Sequence, residues 1–197
     1  MKQLGFGCMR FPKKEDGTID EVEAERMLDH AIESGVTYID TAYPYHDGES
    51  EPFVGRVLKK YKREDFYLAT KLPMFKIDSL EQAKEIFEEQ IKRLDVDYVD
   101  FYLLHALNKD TWKKVIDLNI IPYCEELKKQ GRIKNFGFSF HDDYEVFEEI
   151  INYRDWDFCQ IQLNYIDTDI QAGMKGYKLT EEKNVPLVIM EPIKGGA

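Results

Sequence analysis

Apolar residues fall along this chain in two rhythms. Val36–Ile39, Phe66–Thr70, Tyr98–Leu104, Ile133–Phe138, Phe158–Leu163 and Pro186–Met190 are short apolar runs, rich in β-branched and aromatic residues, and read as buried strands. Gln3 to Met9 alternates and carries Gly5 and Gly7, which predicts a first strand with close backbone approach at both glycines. Between the runs, apolar residues return every three or four positions, the spacing of a helix face. The first such stretch carries Met27, Leu28, Ala31 and Ile32, with Asp20 and Glu23 as a capping pattern before it and Gly35 as its stop. Others run through Phe53 to Tyr61, through Ala83 to Leu94 after a Ser79–Gln82 cap, and around 110–130, ending at Gly131. Tyr144 to Ile151 and a less regular stretch from Tyr177 to Lys183 complete the set.

Strand then helix, repeated, with strands that are apolar on both faces, predicts a parallel sheet covered by helices. The strands end near residues 40, 71, 105 and 139, spacings of 31, 34 and 34 residues, each the size of one βα unit. Gly5 and Gly7 lead into Cys8-Met9-Arg10, where no helix is expected, so the dinucleotide fingerprint of a doubly wound sheet is absent. The even repeat, with a polar residue closing each strand, favours a (β/α)8 TIM barrel. Seven strands are counted, and a full barrel of eight runs to about 250 residues. The expectation is therefore a single barrel domain over 1–197, incomplete at its C-terminal end, with the edges of the first and last strands exposed.

Composition narrows the partners. A net charge of −11 argues against nucleic acid, which needs a basic footprint. No apolar run is long enough to span a bilayer and no signal peptide is read, so the cytoplasm is the expected location. Cys8, Cys124 and Cys159 are scattered, odd in number and without C-x-x-C spacing, which predicts reduced buried thiols and no metal.

Four polar residues fall on one rim of the expected barrel: Asp40 ending strand two, Tyr45 in its loop, Lys71 ending strand three and His105 ending strand four. Singly, each has a plain explanation as a cap, a packed ring or a solvated strand end. Together they are neighbours, because parallel strands set their carboxyl ends about 5 Å apart. A phenol is a weak acid near neutrality. A lysine ammonium about 4 Å away, at an effective dielectric of about 20, interacts with the phenolate by roughly 4 kcal/mol, which lowers the phenol pKa by about three units. Asp40 can hold Lys71 charged, and His105 can aim a donor at a substrate oxygen. Lys71 could instead be a Schiff-base nucleophile in a barrel lyase.

The stretches IDTAYPYHDGESE, YLATKLP and DFYLLHAL, with NFGFSF, FCQIQLNY and LVIMEPIKGG for strands five to seven, resemble the aldo-keto reductase family over essentially the whole chain. The resemblance implies reversible hydride transfer between NADPH and a small aldehyde or ketone, with Tyr45 as general acid, Lys71 and Asp40 tuning it, and His105 orienting the carbonyl. It implies that Ser139 and Gln160 hold the nicotinamide carboxamide, that Met190 stands where an aromatic commonly stacks on the ring, and that Gly7 lies against the cofactor. Ser139-Phe140-His141 replaces the family's usual Ser-Asn. These features, with EPIKGG, resemble a bacterial branch often fused to a C-terminal iron–sulfur domain. The family's ligands for the adenosine phosphate would lie past Ala197. A barrel kept as a non-catalytic NADPH-binding regulatory subunit is the third alternative, and the oligomeric state stays open.

Overall fold

The computed structural model describes residues 3–194. Met1, Lys2 and the closing Gly195-Gly196-Ala197, which include the last glycines of the EPIKGG stretch, lie outside the described residues. Seven strands run in sequence order through one parallel sheet: β1 Gly5–Gly7, β2 Tyr38–Asp40, β3 Tyr67–Leu72, β4 Val99–Leu107, β5 Ile133–Phe140, β6 Phe158–Gln162 and β7 Leu187–Met190. The helices between them are α1 Glu21–Glu33, α2 Ser50–Leu58, α3 Leu80–Leu94, α4 Lys109–Asp117, α5 Ile120–Lys129, α6 Tyr144–Tyr153 and α7 Gly173–Glu182. This is the expected (β/α) barrel architecture, seven units of it, curled and unclosed among the described residues.

Successive side chains of a strand point to opposite faces, and that parity sorts the sheet into two cores. Ile39, Leu68, Tyr102, Leu104, Phe136, Phe138 and Ile161 belong to the large cluster shared with the helices. Tyr38, Ala69, Leu103 and Phe158, with Phe101 and Val188, form a smaller one on the opposite, inner face. The same parity carried two residues further along each strand gives Asp40, Lys71, His105, Gln160 and Met190, with Ser139 beside them. The barrel interior thus has an apolar floor and a largely polar upper layer, to which the strands bring every one of these residues by alternation alone.

The local signals mostly hold. Asp20 accepts from the Glu23 amide at the start of α1, and the Ser79 hydroxyl accepts from the Gln82 amide at the start of α3. Three expectations need correction. The single helix around 110–130 is two helices, α4 and α5. Pro122 has no N–H to donate and its ring would strike the Leu118 carbonyl, and Asn119 takes φ 55° to turn the chain between them. The first strand is only three residues long, because Cys8–Arg10 coils into a short 3-10 turn. The last helix begins at Gly173, before Tyr177. A Cβ on Gly176 would stand 2.6 Å from that of Ala172 and 3.2 Å from the Phe147 ring, so the glycines that blur its periodicity permit the packing.

Candidate active site

Asp40 ends β2 facing inward and stands level with Ala69 of β3 in the sheet register. Lys71 lies two residues above Ala69 on the same face, and its stem carries the ammonium back toward the carboxylate. Lys71 Nζ donates to Asp40 Oδ1 at 2.5 Å, to the Thr41 carbonyl at 2.8 Å and to the Tyr45 hydroxyl at 3.2 Å. Its three donors are all used, and the side chain is 1% exposed. Burial alone would push the Lys71 pKa down, but the Asp40 carboxylate and the Tyr45 phenol outweigh it and the net direction is up. Lys71 is therefore an ammonium at neutral pH, which opposes its use as a Schiff-base nucleophile.

Tyr45 follows β2 on a tight loop. Its amide donates to the Ala42 carbonyl at 3.1 Å, and the next three residues, His46, Asp47 and Gly48, all take positive φ before α2 begins. Lys71 does pull the Tyr45 pKa down, but burial pushes it up by more and Asp40 adds to the upward push. The expected net lowering of about three units is thus corrected, because the Coulomb argument left out the cost of desolvating a phenolate. Tyr45 holds its proton, as a proton donor must.

His105 does not end its strand. β4 continues to Leu107, with a register shift between Leu104 and Leu107 and Ala106 at φ 51°. The Ala106 amide freed by this irregularity donates to Ser139 Oγ at 2.8 Å. The imidazole lies edge-on to the Tyr45 ring at 5.8 Å and tilted against Phe75 at 5.7 Å. Burial, then the Lys71 ammonium, then His141 drive its pKa down to about 3, so it is neutral under ordinary conditions. Its Nδ1 is buried and has no partner among the described residues.

Ser139 and Gln160 are directly opposite each other on β5 and β6. Gln160 Nε2 donates to Asp40 Oδ2 at 3.3 Å, while its Oε1 is buried and unpartnered among the described residues. The Ser139 hydroxyl accepts from Ala106 and keeps its own proton to give. An orphan acceptor beside a free donor matches the amine and carbonyl of a carboxamide, so these residues fit the nicotinamide group. Met190 and Gly7 line the same cavity. Close approach occurs at Gly5, where a Cβ would meet the Tyr38 ring at 2.8 Å, but at Gly7 no protein atom lies within 4 Å, so packing does not demand that glycine. One cavity of about 1210 Å³ joins all eight of these residues and is lined by both β1 and β7.

Other residues of the site were not singled out from the sequence. Tyr38, two before Asp40 and so on the same face, brings its hydroxyl to 3.5 Å from Asp40 Oδ2. Strand parity was the available signal. Phe75 comes from a turn after β3 and had none. The cysteines are free and buried, and burial raises the pKa of each. Among the described residues no group of His, Cys, Asp or Glu could hold a metal, and no helix is long and apolar enough to cross a membrane.

The family model for the aldo/keto reductase family matches residues 3–197. The chain is 30% identical over 205 residues to the uncharacterized oxidoreductase YqkF of Bacillus subtilis, covering 100% of this chain and 62% of that protein. It is 24% identical over 201 residues to the NADH-specific methylglyoxal reductase of Escherichia coli, covering 89% of this chain and 59% of that one. Among solved structures, the holo form of an aldo-keto reductase from Bacillus halodurans superposes with a TM-score of 0.75 at 31% identity, over 95% of this chain and 61% of that one. The chain spans about three fifths of the length of these relatives.

Proposed function

The chain belongs to the aldo/keto reductase family, and from that premise we propose that it serves the reduction of a small aldehyde or ketone to an alcohol, with Tyr45 as the proton donor and NADPH as the reductant. The observation that carries the reading is the Lys71 ammonium, buried and bonded at once to Asp40 and to the Tyr45 hydroxyl. The hydride for the carbonyl carbon would come from the dihydronicotinamide when it is bound. Ser139, by its free proton, and Gln160, by its orphan oxygen, would hold the carboxamide. Tyr45 gives its proton to the carbonyl oxygen as charge develops there. The tyrosinate left behind sits against Lys71, whose charge Asp40 maintains and whose ammonium is buried, so the attraction is stronger than it would be between groups in water. Neutral His105, edge-on to Tyr45, donates to the same oxygen and fixes which way the carbonyl points.

The test is NADPH oxidation by a reactive aldehyde. Tyr45→Phe keeps the ring and removes the acid, and it is expected to lower turnover by about 10²–10⁴-fold while the dissociation constant for NADPH, read by cofactor fluorescence, stays put. Retained turnover in Tyr45→Phe overturns the assignment of the proton donor. NADPH binding by the native chain with no turnover of any carbonyl would favour a regulatory subunit instead.

A further inference from the structure

His46, the residue after Tyr45, plays no part in that mechanism, yet it lines the same cavity. Its Nε2 accepts a hydrogen bond from the Phe11 amide at 3.1 Å, and its ring lies 5.6 Å from that of Phe11. Phe11 is an anchored partner, buried and edge-on to Phe53 of α2 at 5.1 Å. The Tyr45 loop is otherwise strained, with φ 52° at His46 and 56° at Asp47, a conformation that persists only when surrounding contacts impose it. The Phe11 amide fixes the tautomer, because a nitrogen that accepts carries no proton, so the ring is neutral with its hydrogen on Nδ1.

We propose that His46 is a positioning residue for Tyr45: by accepting the Phe11 N–H it ties the loop to the turn after β1 and keeps the phenol at Lys71, and protonation of Nε2 releases that tie. The inference rests on the reading of Tyr45 as proton donor. An imidazolium would set an N–H against the Phe11 N–H, turning an attraction into a repulsion. Burial, then the Lys13 charge, push the His46 pKa down, while the Cys8 and Met9 carbonyls and Asp47 push it up, and the net direction is down. The neutral, tethering form therefore prevails through neutrality and is lost on the acid side. Phe11 and Tyr45 lie on different loops, joined at His46 by this bond and by the packing of its ring on that of Phe11.

The experiment compares the native chain with His46→Gln and His46→Leu. Glutamine keeps an acceptor and does not titrate, whereas leucine keeps bulk and offers no acceptor. Two readouts are taken over about pH 5 to 8, the range in which histidine titrates: kcat/KM for NADPH-dependent reduction of 4-nitrobenzaldehyde, and NMR of the Phe11 amide and the Tyr45 ring. In the native chain the Phe11 and Tyr45 signals should move together with the His46 ring, and kcat/KM should fall at the same inflection. His46→Gln should lose that inflection and keep near-native kcat. His46→Leu should lose kcat by about tenfold to a hundredfold at every pH with little change in KM for NADPH. An unaltered acid limb in His46→Gln, or Tyr45 signals indifferent to His46 titration, overturns the proposal. If the native chain turns over no aldehyde, the reductase reading fails, and the NMR arm still decides whether His46 holds Tyr45.

Discussion

At the scale of single residues, the proton inventory of the site is set by competition between burial and neighbouring charge, and the outcome differs from residue to residue. For Lys71, charge wins, because two partners face one ammonium. For Tyr45, burial wins, and the phenol stays protonated. For His105, burial and the Lys71 ammonium act in the same direction and the pKa falls to about 3. The sign of the consequence follows from linkage. The unfolded chain takes up a proton on this histidine near its usual pKa of about 6.5, while the folded chain does not until about 3. His105 therefore adds stability above about 6.5, and that stability drains away as the pH falls toward the folded value. We expect the His105 ring signals to show no titration between about pH 5 and 8, and His105→Gln to reduce the slope of unfolding free energy against pH in urea titrations over the acid window. A histidine inflection near neutrality assigned to His105 would contradict this environment.

At the scale of elements, one device recurs where helix passes to strand. A residue at positive φ ends the helix, and the next amide reaches back five residues. Gly35 has φ 87° with Val36 N–H bonded to the Ala31 carbonyl at 2.9 Å, and Gly131 has φ 75° with Arg132 N–H bonded to Leu127 at 3.0 Å. Asp95 at 53° and Asn184 at 55° do the same, through Val96 to Ile91 and Val185 to Thr180. The two glycine stops were legible in the sequence because glycine at a helix end has a conformational reason to be there. Asp95 and Asn184 were not, since a polar residue in a polar stretch announces nothing. The polar rim was legible for a similar reason, because the ends of the apolar runs bring Asp40, Lys71 and His105 onto neighbouring parallel strands without any knowledge of packing, even though β3 runs one residue past Lys71 and β4 two residues past His105. The break between α4 and α5 was overlooked because an apolar face continues across it, although Pro122 carried the signal. The Tyr45 pKa was misjudged because burial is a property of the folded surroundings. Gly35→Ala and Gly131→Ala should each cost about 1–2 kcal/mol, whereas Asn184→Gly should be neutral or stabilising by up to about 1 kcal/mol. Shifts in urea midpoint at constant slope measure both.

At the scale of the whole molecule, two tendencies oppose each other. Among the described residues β1 and β7 each pair on one side only, and Leu4, Ile189 and Ile193 are exposed along or beside these strands. Unpaired edges invite association. Their shortness, three and four residues, and a net charge of −11 both oppose it. The screening length falls from about 10 Å at 0.1 M salt to about 3 Å at 1 M, so added salt removes the repulsion and leaves the edges. The chain should sediment more slowly in dilute buffer than at high salt, where larger species should appear with rising protein concentration. A distribution indifferent to salt would mean that the edges are closed to partners. The curl of the sheet has a separate consequence, visible in the bond between Asp40 and Gln160. These residues are 120 positions apart and sit on strands separated by three others, yet their side chains touch. Gathering a stretch of that length has an entropic cost of about 4 kcal/mol, so we expect this contact to form late as the chain condenses. The corner that gathers the candidate residues thus doubles as a clasp across the sheet, expected to fasten late and to loosen when the curl slackens.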